Sequence, residues 1–169
     1  MPKRDPAQLK RVSLSLPFGI GKAEWEADPS ERRAAWDLYV ELVTRVAVEQ
    51  TPIPGDGEAE AIASLYSLFS ATRDILKSAG PDIARSRESV GAIALAVLNR
   101  GVRPFLGKWH ARFQAWKASG QRDPHAWPDG EEFRTEIRRL QSDLAEYARA
   151  LAVIAGVGLT DESTSCERG

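Results

Sequence analysis

The chain has 169 residues, 43% hydrophobic and 28% charged, with a net charge of −1. That is enough chain to bury one core without disulfides or metals, and the composition excludes wholesale disorder. Near-neutrality excludes a global attraction to nucleic acid or acidic membranes, and the single cysteine, Cys166, excludes an internal disulfide.

Residues 1–11 read as a mobile basic arm that contains no apolar leader segment. Val12-Ser-Leu-Ser-Leu16 alternates apolar and polar residues, the period of a half-buried strand. No second segment suggests itself as its partner, so the expectation is an extended piece laid over helices and pinned by Phe18, Ile20 and Trp25. Gly19-Ile-Gly-Lys22 has the look of a phosphate loop, but position 16 is Leu and Ala23 follows the lysine. A phosphate loop needs glycine at the first of these positions and a metal-holding hydroxyl at the second, so the segment reads as a turn.

The first helix starts at Asp28-Pro-Ser-Glu31, with Asp as N-cap, Pro at the first helical position and Glu at the third. Trp36, Tyr39, Val40, Val43 and Val46/Ala47 supply its expected apolar stripe, widened by Leu38 and Leu42, and Pro52 and Pro54 end it. A second helix runs from about Glu58 to Ala79 on Ile62, Leu65, Phe69, Thr72 and Leu76, with Leu68 and Ile75 broadening the face and Gly80-Pro81 as the stop. Ser64, Ser67 and Ser70 are small enough to permit close helix approach.

The third and longest candidate spans about Arg87 to Ala118. Leu98, Val102, Phe105, Trp109, Phe113 and Trp116 recur at helical spacing. Pro104 removes a backbone donor and crowds the carbonyl four residues back, which predicts a kink or break near Arg100–Gly101. Gly120, Pro124 and Pro128 then mark a loop, whose Trp127 is expected to cover the core. A fourth helix begins at Asp129-Gly-Glu-Glu132, read as another capping box. Phe133, Ile137, Leu140, Leu144, Tyr147, Leu151 and Ile154 make a sustained heptad seam up to Gly156, a natural C-cap. The expected architecture is therefore all-α: a four-helix-type bundle over residues 29–156, an N-terminal arm and extended segment over 1–28, and a disordered tail over 157–169.

Catalytic patterns are sparse. His110 and His125 are the two histidines, and neither belongs to a Glu-x-x-His or His-Glu-x-x-His motif. No Gly-x-Ser-x-Gly elbow marks a nucleophile. Asp37/Glu41 and Glu132/Glu136 are acids one turn apart, a spacing common on solvated helix faces. Cys166 lies among Asp161, Glu162 and Glu167, which disfavour a thiolate. The expectation is a non-enzymatic, cytoplasmic protein with no cofactor, no metal and no membrane association.

One surface stands out. From Arg85 to Arg122 there are eight Lys/Arg and one acid, Glu88, so the rest of the chain carries −8. The third helix sets Arg100, Arg103, His110 and Lys117 on one face, flanked by Lys108 and Arg112, with no acid between Ser89 and Arg122. An isolated surface helix gains from mixed signs at i, i+4, and this one has none. Three readings compete. The cations meet Glu31, Asp37, Glu41, Glu58, Glu60 and Asp74 of the first two helices; or they bind an acidic protein partner or another protomer; or they contact nucleic-acid backbone. A catalytic role for His110, with a carboxylate from another helix, is a further alternative.

Val97-Leu-Asn-Arg-Gly-Val-Arg-Pro-Phe-Leu-Gly-Lys-Trp-His110, with Leu65-Tyr-Ser-Leu-Phe69 and Thr72-Arg73 upstream, resembles a set of bacterial all-helical proteins associated with conflict and defence loci. The resemblance covers roughly residues 30–155. It implies a bacterial defence setting and carries no activity or site residue with it. The resulting expectation is an accessory subunit of a bacterial complex that uses the basic face of the third helix, with nucleic-acid binding through the same face as the alternative.

Overall fold

The computed structural model describes residues 12–26, 28–45, 57–121 and 123–157. The fold is mainly helical, with one small sheet near the N-terminus. The basic arm, Val46/Ala47, Pro52, Pro54, Cys166 and all of the expected tail except Val157 lie outside the described residues.

The sheet corrects the expectation of a lone extended segment. Strand β1 (Val12–Leu16) pairs antiparallel with β2 (Gly21–Trp25), in a register that sets Leu14 opposite Ala23 and Leu16 opposite Gly21. In β2 the burial alternates, with Ala23 and Trp25 inward. The loop is two residues long, Phe18-Gly19, both at positive φ (+59° and +68°), and the Ile20 N–H donates to the Pro17 carbonyl at 3.2 Å. These are the features of a type I′ hairpin turn, whose twist suits the strands it joins. Gly19 adopts positive φ freely, whereas a left-handed phenylalanine costs about 1–2 kcal/mol.

Helix α1 (Pro29–Val43) begins as its sequence predicts, with the Asp28 carboxylate accepting the Glu31 N–H at 2.9 Å. The Ser30 hydroxyl also donates to it, and these bonds hold the Asp28 carboxyl below its ordinary value. Glu31 does not close a capping box. Its buried Oε1 accepts the Val90 N–H at 3.1 Å and so caps the start of a different helix. There the carboxylate meets the positive end of the helix dipole.

The buried face of α1 is Ala34, Ala35, Leu38 and Leu42, while Trp36 and Val43 are exposed. The expected stripe holds in part: Leu38 and Leu42 are buried and Tyr39 packs partly buried against the core, but Ala34 and Ala35 take the inner positions expected for Trp36 and Val43. The last helix is the most extensive neighbour of α1. Helix α1 ends at Val43, ahead of the prolines expected to stop it.

Helix α2 has the predicted bounds, Glu58–Ala79, and ends at Gly80 with φ +82°. Ser67 and Ser70 are exposed, so they do not mediate close packing. A 3₁₀ turn (Pro81–Ala84) leads to α3 (Val90–Val97), then a π-helical turn (Leu98–Val102), then α4 (Arg103–Ala118). The rod continues through Pro104 without a break. In the π turn the Arg103 N–H reaches back to the Leu98 carbonyl. The extra residue widens the ladder where the proline ring would otherwise meet the Arg100 carbonyl.

Helix α5 (Gly130–Ala155) buries all seven seam residues and ends at left-handed Gly156. Asp129 sits at its N-cap but makes no side-chain cap bond, so the second predicted capping box is not formed. The core joins all five helical segments to the hairpin. At its centre Trp109, fully buried, stands edge-on to Phe133 at 5.3 Å and to Trp127 at 5.8 Å. Trp127 therefore covers the core from its loop, as its sequence position suggested.

Candidate interaction surface

The six cationic or titratable residues singled out on the third predicted helix fall on the π turn and α4. The five cations separate into two groups, and His110 stands apart from both.

Lys108 and Arg112 are engaged within the chain. The Lys108 ammonium donates to Glu132 at 2.7 Å and to Glu136 at 2.5 Å. These bonds, Glu132 first, hold Lys108 above its ordinary value. The Glu136 carboxyl is held down by the Lys108 bond, against its partial burial, and it also accepts the Trp109 indole N–H at 2.8 Å. Arg112 lies 3.7 Å from Glu132 and 3.9 Å from Asp129. Both cations thus meet carboxylates of the chain, but these belong to α5 and not to the first two helices. Three of the six acids proposed there are used otherwise: Glu31 caps α3, Glu41 pairs with Arg45, and Glu58 pairs with Arg134 at 2.9 Å.

Arg100, Arg103 and Lys117 form no ion pair among the described residues, and all three are exposed. The Arg103 guanidinium lies over the Phe69 ring of α2 at 5.4 Å, and the Lys117 ammonium over Phe113 at 5.5 Å. An aromatic face holds such a cation in place without neutralising it. His110 is half-buried, its Nδ1 3.1 Å from the Tyr66 hydroxyl and its Nε2 3.4 Å from the Gln114 amide nitrogen. Its neighbours are a phenol and an amide, whereas the catalytic alternative needs a carboxylate there.

Arg100 also borders a shallow cleft of about 330 Å³ between the π turn, the hairpin tip and α5, shared with Phe18, Lys108, Arg139 and Asp143. Burial, together with the neighbouring charge of Glu146, pushes the Asp143 carboxyl up. Among the described residues, no group of three or more metal-ligating side chains comes together, and no helix is long and apolar enough to cross a membrane.

Sequence reasoning missed Arg73 and Lys77 of α2 and the exposed Leu95 of α3, which border a second cavity beside the free part of the basic face. The signal was present in α2, where Phe69, Arg73, Leu76 and Lys77 share one helical face. It drew no attention because the apolar members alone were assigned to the core.

Compared with protein-family models, curated proteins and solved structures, the chain matches none of them, and the functional reading rests on these side chains.

Proposed function

We propose that the chain is a non-enzymatic interaction subunit that engages an acidic protein partner through the unneutralised part of its basic face. Arg100 and Arg103 carry that contact, with Lys117 at the far end of α4. Lys108, Arg112 and His110 act within the chain, fixing α4 to α5 and to α2. The resemblance implies that the complex is bacterial and defence-related.

One observation carries this reading. Of five cations on a face devoid of acids, the two nearest α5 are matched by Asp129, Glu132 and Glu136, and the others are exposed with no carboxylate paired to them among the described residues. Complementary charge at such a face speeds association and sets register. The same observation weakens the nucleic-acid alternative, because only a few cations remain for phosphates and the salt-dependent affinity grows with their number.

The test is the Arg100→Glu/Arg103→Glu pair, expressed with a tag in the native host. The expected result is loss of a stable co-purifying partner with unchanged helicity and melting. A partner retained through both reversals overturns the proposal. Salt-sensitive retention of the wild type on mixed DNA and RNA, abolished by the same pair, replaces it with the nucleic-acid reading. A complex made only of the chain itself identifies a second copy as the acidic partner.

A further inference from the structure

Between α2 and the rod formed by α3, the π turn and α4 runs a seam that combines apolar surface with unpaired positive charge. At one end a groove of about 380 Å³ is bordered by Leu76, Pro81, Ile83 and Leu95, with Arg73 and Lys77 at its rim. Two glycines shape it. Gly80, at φ +82°, turns the chain out of α2. Gly91 lets the 3₁₀ turn lie against α3, since a Cβ there would stand 2.7 Å from the Ile83 carbonyl oxygen. Leu95 is 44% exposed although it belongs to the most apolar stretch of the chain.

Farther along the seam Arg103 lies over Phe69, and Tyr66, 43% exposed, stands edge-on to His110 at 5.2 Å. Tyr66, Phe69, Arg73, Leu76 and Lys77 form one face of α2, and the 11 steps from Tyr66 to Lys77 rise about 16 Å. Along that length the cations Arg73, Lys77 and Arg103 have no ion-pair partner among the described residues. Asp74, the one acid in the C-terminal half of α2, pairs with none of them.

We infer that this seam is the docking groove for an acidic amphipathic helix of the partner, a deepening that rests on the interaction-subunit reading above. Arg73 and Lys77 stand one helical turn apart at the groove's rim, the spacing of carboxylates on successive turns of a helix laid along it. The apolar groove takes a bulky anchor side chain against Leu95. The cations on both walls face carboxylates at neighbouring turns of the incoming helix, the arrangement in which one helix lies in a groove with its anchors at i, i+3/i+4 and i+7. Leu95 contributes exposed apolar area that burial would make favourable, and the cations set the direction in which the helix lies.

The test uses a displayed library of randomised 18-residue helical peptides, selected on the intact chain. Binders are then measured by fluorescence anisotropy against the wild type, Leu95→Asp, Arg73→Glu/Lys77→Glu, and Arg100→Glu. Leu95, Arg73 and Lys77 are all exposed, so these variants should melt as the wild type does. The expected outcome is enrichment of Asp or Glu with Leu, Phe or Trp at i, i+4. Affinity should fall at least tenfold, in order of magnitude, on Leu95→Asp and on Arg73→Glu/Lys77→Glu, with recovery for the charge-reversed chain when peptide acids are changed to lysine. Binders insensitive to both groove variants, or selection without acidic enrichment, overturn the groove. Binders lost on Arg100→Glu but not on Leu95→Asp overturn it too, while leaving the basic-face reading intact. Failure of that reading shows separately, in the native-host complex that ignores Arg100 and Arg103.

Discussion

Replacing Arg134 with methionine should destabilise the protein by about 3 kcal/mol, the lower end of the range for breaking a buried ion pair from one side. Glu58 opens α2 and is 2% exposed, and its Oε1 accepts from the Arg134 guanidinium at 2.9 Å. Arg134 projects from the first turns of α5, so this pair ties the start of one helix to the start of another. Removing the guanidinium leaves a carboxylate in the interior with its desolvation uncompensated. The positive end of the α2 dipole offsets part of that cost, and the partial exposure of Arg134 screens the pair, which is why the lower end applies. For a chain of this size, about 3 kcal/mol corresponds to a fall in Tm of roughly 10 °C.

The second bond of Arg134, to Glu131, contributes little, because Glu131 is almost fully exposed and such pairs are typically worth under about 1 kcal/mol. A double-mutant cycle separates the two. Glu58→Leu combined with Arg134→Met replaces the pair with apolar groups of similar size and should recover most of the loss. Glu131→Gln alone should leave Tm within about 2 °C. A melt of Arg134→Met indistinguishable from the wild type would remove the pair from the account of stability.

Glu58 and Arg134 also show where sequence reading stops. The bounds of α2 and the seam of α5 were legible because a helix repeats its apolar positions and Gly80 and Gly156 punctuate them. Glu58 could be placed at a helix start, but nothing in a one-dimensional pattern says that Arg134, 76 positions later, is opposite it. The same blindness misassigned the acids facing the basic helix. Glu132 and Glu136 read as a solvated pair, yet they are the partners of Lys108, because the way the helices pack on one another, not spacing along the chain, decides which faces meet.

The inner face of α1 was read only in part, for a different reason. Leu38 and Leu42 were placed on it, but Trp36 and Val43 have helical spacing and greater apolar bulk than Ala34 and Ala35, which take the inner positions instead. Bulk is a poor guide where two helices approach closely, since close approach selects small side chains. Part of the candidate surface was legible: Arg100, Arg103 and Lys117 stand out in an acid-free stretch. Arg73, Lys77 and Leu95 enter it only because α2 lies beside α3.

The hairpin was hidden by its turn. Type I′ turns announce themselves with Asn-Gly or Gly-Gly, and Phe18-Gly19 does not. A phenylalanine accepts the left-handed conformation only where something outside the turn holds it there. That partner is Gly101, in the middle of the π turn. A Cβ built on Gly101 would stand within 2.8 Å of three carbons of the Phe18 ring. The ring therefore occupies the space that every other residue type would fill, and the hairpin, the π turn and the absent side chain form one joint.

Gly101→Ala should break this joint. The helical backbone at position 101 accepts alanine, and in open helix the change would stabilise by about 1 kcal/mol. Against Phe18 it must instead displace the ring or shift the hairpin, an overpacking that costs about 1–3 kcal/mol. The net expected result is a loss of up to about 2 kcal/mol by denaturant titration, with weakened protection of the β1–β2 amides in hydrogen exchange while α5 stays protected. The compensating variant fixes the interpretation. Phe18→Gly removes both the ring and the left-handed strain, so Gly101→Ala on that background should become neutral or stabilising. If the alanine costs as much with Gly at position 18 as with Phe, the clash lies elsewhere and Phe18 is not what keeps position 101 bare.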